Sequence, residues 1–250
     1  MKNYLIIIQA RTGSKRFPKK IIKKIDGKTI IEILLDRLNK NFKKEKIIIA
    51  TTKSKKDDIL CNIAKKKGIK YFRGSENNVM SRFIQIGKIY ELDFMIRITS
   101  DCPLIDPKLV SKMLNFFLVK KIDYLSNTLP FEKKTFPDGS DIEVFKYESL
   151  LNSSQSTKRN ELEHVTNQLW KNKKFKRKIF RQSKNLSKYR YSLDYKSDLF
   201  VIKKIFYFLK KNKLVGTANQ IANFLSKNQL LLKIGKKNLE NYLKNKSIKL

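Results

Sequence analysis

The sequence has few of the residues that build zinc, disulfide or serine-nucleophile sites. Among 250 residues there are two cysteines, Cys61 and Cys102, and one histidine, His164. A zinc site needs several Cys and His ligands, and a Ser-His-Asp hydrolase of the Gly-x-Ser-x-Gly type needs a strained turn that this sequence lacks. Cys61 falls in a helical pattern and Cys102 follows an aspartate, so we expect no disulfide and a cytoplasmic location.

Long apolar runs are absent as well. No run approaches the ~20 residues of a membrane helix, and the N-terminus leads directly into a strand-like run, so we expect no membrane insertion and no signal peptide. Hydrophobic residues still make up 41% of the chain, enough for the core of an α/β domain. We expect a main domain over residues 1–212 and a C-terminal helical extension over 213–250.

Acidic residues are scarce relative to basic ones, with 22 Asp and Glu against 57 Lys and Arg and a net charge of +35. Nucleic-acid-binding proteins are basic because cations attract phosphate. Here, however, lysine is spread over nearly every segment, as a coding bias would produce in any protein, and the pattern of a known RNA-binding module is missing. A basic nucleic-acid-binding protein without catalysis therefore stays as an alternative, and we expect no specific nucleic-acid partner.

Strand-like and helix-like segments alternate along the first half of the chain. This order predicts a doubly wound α/β fold with a mixed, mostly parallel sheet and right-handed crossovers. The strand ends near Gln9, Thr51 and Asp101 then share one sheet edge, where a nucleotide could lie. The predicted strands cover residues 5–8, 46–51, 69–72, 94–98 and 142–145. Helices are predicted to begin at Thr29, at Asp57-Asp58 and at Asp106-Pro107, to end at Gly68, and to cover residues 161–170.

A cationic loop follows the first predicted strand, and residues 9–20 read QARTGSKRFPKK. Gly13 and Ser14 permit a tight turn whose N–H groups face an anion, and the crowded positive charges call for a negative ligand. A solvated lysine-rich loop is the plain alternative. The P-loop pattern and the dinucleotide pattern GxGxxG are both missing, so we predict a polyphosphate-binding loop of another kind.

This loop resembles the N-terminal signature of the cytidylyltransferases that make CMP-activated acidic sugars, roughly Ala-Arg-x-Gly-Ser-x-Arg-x-Pro-x-Lys, and is closest to the spore-coat-polysaccharide subgroup. The resemblance implies a Rossmann-like fold of the nucleotide-diphospho-sugar transferase type. It also implies CTP and a sugar as substrates, Mg²⁺ as cofactor and a homodimer with an arm over about 123–145. Arg11 and Lys20 fall on the phosphate-binding positions, while Lys19 stands where glycine is commoner.

A second motif, RITSDCPLIDP over residues 97–107, begins at the end of a predicted strand. An aspartate facing a phosphate loop would repel the nucleotide unless a divalent cation lay between them, and Mg²⁺ prefers one or two carboxylates together with substrate phosphates. The resemblance makes Asp101 a metal-binding, nucleotide-binding and catalytic residue. It also makes Arg11 and Lys20 catalytic residues. The alternative is that Asp101 only caps a turn.

A third motif, LDYKSDL over residues 193–199, is similar to the late Asp-x-x-x-Asp-Leu element of the family. It departs from the Thr-Pro-Glu that commonly separates the two acids. The resemblance makes Asp194 the second metal ligand and Asp198 a helix cap. The alternative is that both aspartates are caps.

Two further segments look like substrate-binding parts of the family. The resemblance of residues 73–83 implies that Arg73 and Ser75 contact the cytosine and ribose, and that Ala10 and Ala50 form part of the floor below the base. The alternative is that this segment is an ordinary turn and helix cap. Gly13 and Ser14 complete the implied nucleotide-binding set.

Residues 136–143 and 163–166 resemble the sugar side of the subgroup and imply sugar contacts for Asp138, Glu143 and His164. A single histidine on a helix is more often a packed or surface residue.

Together these motifs predict a cytidylyltransferase that transfers CMP from CTP to a sugar, giving a CMP-sugar and pyrophosphate for surface polysaccharide synthesis. We expect an acidic sugar such as a nonulosonic acid. A transferase of the same fold that uses another nucleotide or sugar is the first alternative, and the basic nucleic-acid-binding protein is the second.

Overall fold

The structure, a computed structural model, describes residues 2–155, 162 and 164–245. The strands are β1 (Tyr4–Gln9), β2 (Lys24–Ile25), β3 (Lys28–Thr29), β4 (Ile47–Thr52), β5 (Lys70–Gly74), β6 (Phe94–Thr99), β7 (Tyr124–Ser126), β8 (Glu143–Lys146) and β9 (Arg177–Ile179). The α-helices are α1 (Ile30–Leu38), α2 (Asp58–Lys67), α3 (Val79–Ile89), α4 (Pro107–Val119), α5 (Tyr147–Ser154), α6 (Asn167–Lys171), α7 (Lys196–Lys211), α8 (Ala218–Ser226) and α9 (Gln229–Asn245).

Seven strands form one sheet in the order β5-β4-β1-β6-β8-β7-β9. The strands β5, β4, β1 and β6 are parallel to one another, β8 runs antiparallel to both β6 and β7, and β9 is parallel to β7. The predicted mixed, mostly parallel α/β sheet is therefore confirmed. In the register, Gln9 pairs with both Ala50 and Thr99, so the carboxyl ends of β1, β4 and β6 meet at one edge.

Apolar side chains of the central strands are buried on both faces of the sheet. Ile6 and Ile8 belong to a large core with α1, α4, α7 and α8, whereas Leu5 and Ile7 belong to a second core with α3, α5 and α6. Continuous apolar runs such as that of β1 are typical of parallel strands that are covered by helices on both sides. This explains why the central strands were predictable from their continuous apolar runs.

The predicted helix boundaries follow from local capping chemistry. Thr29 forms a capping box with Glu32 at the start of α1, Asp106 caps α4 one residue before Pro107, and Gly68 ends α2 in a left-handed conformation. All three predictions are confirmed. The predicted helix over residues 161–170 is shorter than expected, because α6 begins at Asn167; residues 161 and 163 lie outside the described residues.

The segment predicted as an extended arm is bounded by two strands of the main sheet, β7 and β8. Between them, Asp138 donates its N–H to the Tyr189 carbonyl and accepts a hydrogen bond from the Tyr191 N–H. The loop therefore lies against residues 189–191 of its own chain. Its part in a homodimer stays a prediction, as does the domain boundary at residues 212 and 213.

The last two helices of the chain pack onto α7. The rings of Phe208 on α7 and Phe224 on α8 stack with centroids 4.3 Å apart, and α9 contacts both α7 and α8. No helix in the described part of the chain is long and apolar enough to cross a membrane.

Candidate active site

The cationic loop after β1 is held to the end of β4 by one buried carboxylate, that of Asp57. Its Oδ1 accepts hydrogen bonds from both the N–H and the hydroxyl of Thr12, each at 2.7 Å, and its Oδ2 accepts one from the Thr52 hydroxyl. Burial opposes the charge, but the bonds from Thr52 and Thr12 keep the pKa of Asp57 below its usual range. Asp57 thus fixes where the loop leaves the sheet.

The loop turns back through a residue with left-handed backbone. That residue is Lys19, with φ of 56° and ψ of 24°, and its N–H donates to the Thr12 carbonyl at 3.0 Å. Gly13, where a tight turn is predicted, does not have left-handed backbone. A residue with a Cβ is strained in this region by about 1 kcal/mol, which explains why glycine suits position 19.

The end of the loop places Lys20 between two carboxylates from distant parts of the chain. The Lys20 Nζ lies 3.2 Å from Asp101 Oδ2 and 3.1 Å from Asp194 Oδ1, and it also donates to the Leu193 carbonyl. Burial alone would lower the pKa of Lys20, but Asp101 and Asp194 outweigh it, and the pKa lies above the usual value. The ammonium group therefore stays charged at the meeting point of β1, β6 and the segment before α7.

Asp194 is the most heavily neutralised acid of this site. Besides Lys20, its Oδ1 receives Arg16 Nη2 at 2.8 Å and its Oδ2 receives Arg190 Nη2 at 2.8 Å. Burial would raise the pKa of Asp194, but Lys20, Arg190 and Arg16 hold it well below the usual range. Arg190 in turn contacts Asp138 and Asp198, so a continuous charge network joins the cationic loop to α7.

The more open end of the loop carries Arg11. Its side chain is 35% exposed, and its Nη1 lies 4.0 Å from Glu76 Oε1. A Cβ on Gly13 would lie 3.5 Å from the same Glu76 oxygen, so Gly13 lies next to this pair. An exposed arginine beside exposed backbone suits a bidentate contact to phosphate oxygens.

Two acids of the site, Asp101 and Asp194, lie close enough together to be candidate ligands of a divalent cation. The carboxylates of Asp101 and Asp194 meet at the same ammonium group, and Asp101 is the more exposed of the two. No group of three or more His, Cys, Asp or Glu side chains in the described ranges could hold a metal ion. Two carboxylates leave the remaining positions to phosphate oxygens and water, which is how Mg²⁺ is usually bound.

Comparison with known proteins agrees with this geometry. The family model described as cytidylyltransferase matches residues 5–225. The chain belongs to the cytidylyltransferase family.

Individual proteins are also similar to this chain. A solved cytidylyltransferase from Leptospira borgpetersenii superposes with a TM-score of 0.84 at 33% identity, covering 93% of this chain and 97% of that one. An uncharacterized protein of Methanocaldococcus jannaschii is 38% identical over 167 residues, 66% of either chain. The spore coat polysaccharide biosynthesis protein SpsF of Bacillus subtilis is 34% identical over 128 residues, 50% of this chain and 53% of SpsF. The matches thus span about half to two thirds of these two curated relatives.

Against this cytidylyltransferase background, the structure can be compared with the predicted nucleotide-binding residues. Ala10 and Ala50 are buried and adjacent, because the Ala10 N–H donates to the Ala50 carbonyl at 3.1 Å. Arg73 donates to the Thr52 and Ser54 carbonyls and pairs with Asp58, so its guanidinium supports the loop after β4.

Ser75 accepts a hydrogen bond from the Asn78 N–H at the start of α3. The N–H of Ser14 donates to the Thr12 carbonyl inside the cationic loop. Base contacts by Arg73 and Ser75 stay predictions, and the observed bonds are those of the alternative, a turn and a helix cap.

The three residues predicted on the sugar side do not form one group. Asp138 joins the Asp194 network through Arg190. Glu143 is 4% exposed and accepts hydrogen bonds from the hydroxyls of Tyr124 and Thr166, each at 2.6 Å, and it pairs with Arg97. The Glu143 carboxylate is thus bonded to side chains of its own chain inside the second core. This arrangement gives no support to a sugar contact by Glu143.

His164 is exposed before α6, and its carbonyl accepts the Asn167 N–H, so it is a surface residue as its alternative reading holds.

Several residues of the site were not found from sequence. Asp57 was read only as a helix start, and Arg16 and Arg190 were given no role of their own. Arg82, on α3, is 1% exposed and donates to the Ala50 carbonyl at 3.1 Å, directly below the predicted base floor. Burial lowers the pKa of Arg82 to about 10, with Arg11 adding to the effect.

Proposed function

We propose that this protein transfers a cytidylyl group from CTP to a hydroxyl of a sugar, releasing pyrophosphate. The observation that carries the proposal is the meeting of Lys20, Asp101 and Asp194 beside the cationic loop, at the carboxyl edge of the sheet, in a chain of the cytidylyltransferase family. Ligands of open α/β sheets bind at this edge.

The charges of the site suit the proposed reaction. The sugar hydroxyl oxygen forms a bond to the α-phosphorus of CTP while the bond to the β-phosphate oxygen breaks, and the hydroxyl proton is released. Negative charge gathers on the phosphoryl oxygens and on the departing pyrophosphate, so fixed cations supply much of the catalysis. Arg11 and Lys20 stand on the loop that would surround the triphosphate.

Asp101 and Asp194 would hold Mg²⁺ in this proposal. When bound, the ion supplies charge neutralisation on phosphate oxygens. Lys20 would then pair with a phosphate of the nucleotide instead of with the two carboxylates. Arg16 and Arg190 both pair with the buried Asp194 and favour its ionised form.

An acidic sugar is the first acceptor to test. Arg16 is 35% exposed beside the buried Asp194, so a cation already lies at the open side of this acid. A role in surface polysaccharide synthesis is consistent with the likeness to SpsF. A homodimer, implied by the family resemblance, and a cytoplasmic location, expected from the two cysteines, remain part of the proposal.

Pyrophosphate release tests the reaction directly. The protein is assayed with Mg²⁺, each of CTP, UTP, ATP and GTP, and a panel of acidic and neutral sugars, with EDTA as a control. Release with CTP and one class of sugar is expected. Pyrophosphate release with another nucleotide but not with CTP would show that CTP is not the substrate. No release, together with no CTP binding by calorimetry, would overturn the proposal.

Two variants assign the site within the same assay. Arg11→Ala and Asp101→Asn are each expected to lose about 100-fold or more in kcat/KM and to stay folded, because both side chains are partly exposed. Glu45→Gln, at an exposed position before β4, is the matched control and should keep the parent rate. Parent activity in Arg11→Ala or Asp101→Asn would remove that residue from the site.

The same protein can be tested as a nucleic-acid-binding protein. A specific role predicts tight RNA binding that falls steeply as the salt rises above ~150 mM, with no turnover. Weak, salt-sensitive binding without sequence preference is expected from the net charge of +35 alone.

A further inference from the structure

The helix α9 lies beyond the residues that match the family model, yet one of its faces lies against the candidate active site. Gly235, Asn238 and Tyr242 are spaced by three and four residues, which places them on one side of a helix. A Cβ on Gly235 would lie 3.5 Å from the Arg190 carbonyl oxygen, and Asn238 donates to Asp198 Oδ1 at 2.7 Å. Both contacts fix α9 beside the segment that carries Asp194.

The third residue of this face, Tyr242, contacts both arginines that hold Asp194. Its ring centroid lies 5.3 Å from the Cζ atom of Arg16 and 5.5 Å from that of Arg190. Tyr195, at the start of α7, places a second ring 5.5 Å from Arg16. Contacts between a cation and an aromatic ring are attractive, so the two rings restrict a side chain that is otherwise long and flexible.

The side chain of Tyr242 carries no charge that could pair with Arg16. Burial, together with Asp194 and Asp101, raises the pKa of Tyr242 above its usual value. A neutral ring leaves the charge of Arg16 available to a ligand. Arg16 uses Nη2 toward Asp194 at 2.8 Å and is 35% exposed, so part of its guanidinium remains open at the site.

We propose that α9 is part of the active site and that Tyr242 is a positioning residue, whose ring holds Arg16 over Asp194 so that Arg16 binds an oxyanion of the substrates. The oxyanion is either a phosphate of the nucleotide or the carboxylate of an acidic sugar. The inference rests on the proposed function for its kinetic consequence but not for its geometry. It gives this chain a site residue outside the part that matches the family model.

The geometric part is tested without substrate. The side-chain Nε–H signal of Arg16 in a ¹H–¹⁵N spectrum is assigned by its loss in Arg16→Lys. We expect it to be sharp in the parent and in Tyr242→Phe, which keeps the ring, and broadened or lost in Tyr242→Leu, which removes it. An unchanged signal in Tyr242→Leu would overturn the positioning role, whether or not the protein turns over CTP.

The kinetic part uses the same variants with CTP and the accepted sugar. Tyr242→Phe should stay within about twofold of the parent, whereas Tyr242→Leu should lose about 10-fold or more in kcat/KM with a Tm close to the parent. A rise in the KM of CTP alone identifies a phosphate as the ligand of Arg16, and a rise in the KM of the sugar alone identifies the carboxylate. Lys236→Ala, on the exposed side of α9, is the control.

A double variant separates positioning from packing. If Tyr242 acts through Arg16, then Arg16→Lys combined with Tyr242→Leu loses no more activity than Arg16→Lys alone. Losses that simply multiply, or a loss in Tyr242→Leu that follows only a fall in Tm, would contradict the proposal.

Discussion

Lys20 and Asp194 form a buried ion pair, with Nζ 3.1 Å from Oδ1, and the same ammonium lies 3.2 Å from Asp101. The cation of the side chain therefore stands where two carboxylates would otherwise repel one another. A divalent ion that used both carboxylates would compete with Lys20 for this place.

Replacing Lys20 by Met should therefore separate metal binding from turnover. Removal of a positive charge within about 4 Å of both acids should strengthen Mn²⁺ binding without nucleotide by about tenfold or more, while kcat/KM with CTP falls by about 100-fold. Free Mn²⁺ is measured by electron paramagnetic resonance, with Mn²⁺ standing in for Mg²⁺. Lys15→Met, at an exposed position of the same loop, is the control. Unchanged Mn²⁺ affinity in Lys20→Met would show that the ammonium and the metal do not share a place.

Asp57→Asn should weaken the attachment of the cationic loop to the end of β4. The amide places a donor where Thr12 and Thr52 already donate, so an unsatisfied buried group costs about 1–3 kcal/mol and lowers the Tm by several degrees at pH 7. The folded protein holds the pKa of Asp57 below its unfolded value. Its contribution to stability is thus present above the unfolded pKa and is lost as the pH falls through the folded one.

The difference in Tm between parent and Asp57→Asn should therefore shrink as the pH falls below about 4. Asp58→Asn, at the exposed neighbouring position, removes only a partly exposed ion pair and should change the Tm little. Equal Tm values for Asp57→Asn and the parent at pH 7 would be incompatible with an anchoring role.

Local sequence patterns were enough for the frame of the molecule. The strand of residues 5–8 and the caps at Thr29 and Gly68 depend on neighbours within a few positions, and they were predicted correctly. The strands β7 and β9 have three residues each, too short for a periodic pattern, and were missed.

Long-range contacts explain what the sequence hid in the site. Asp57 looks like an ordinary helix start, and its partner Thr12 is 45 residues away. Arg190 precedes a motif that was recognised, yet its contacts to Asp138, Asp194 and Asp198 exist only after folding. Tyr242 lies in a Lys- and Asn-rich tail that gave no site signal, although its spacing from Asn238 and Gly235 could have suggested one buried helix face.

Lys134→Met should stabilise the protein at neutral pH. Its ammonium is buried, lies 3.9 Å from Asp138 Oδ1 and has no hydrogen-bond partner among the described residues. Burial lowers the pKa of Lys134 to about 8. Below this pH the folded protein holds a charge that the unfolded chain solvates better, and the cost is on the order of 3 kcal/mol.

The expected gain in Tm at pH 7 is several degrees. It should decrease as the pH rises from about 8 toward the unfolded value near 10.5, because the parent then sheds the buried proton. Lys133→Met removes the same net charge at an exposed neighbouring position and is the matched control. A variant less stable than the parent at pH 7 would mean that the contacts of the Lys134 ammonium with Asp138 and with the Phe131 ring outweigh the cost of burial.

Gly139→Ala should damage the site from a distance through backbone contact. Gly139 has φ of 110°, and an added Cβ would lie 2.7 Å from the Ser192 nitrogen and the Tyr191 carbonyl carbon. Relief requires the loop to move away from residues 190–192, which weakens the pair between Asp138 and Arg190 and hence the support of Asp194. We expect a loss of at least about 2 kcal/mol in the free energy of unfolding and about 10-fold in kcat/KM.

Gly27→Ala supplies the comparison for this strain. Gly27 also has a positive φ, of 77°, but an added Cβ there would meet nothing within 4 Å. It should therefore cost only the backbone term of about 1 kcal/mol and leave turnover unchanged. Chemical denaturation gives the free energies of unfolding, and pyrophosphate release gives the rates. Equal losses in both variants would show that the close approach of Gly139 to residues 191 and 192 contributes nothing, and that Asp194 does not depend on this loop for its position.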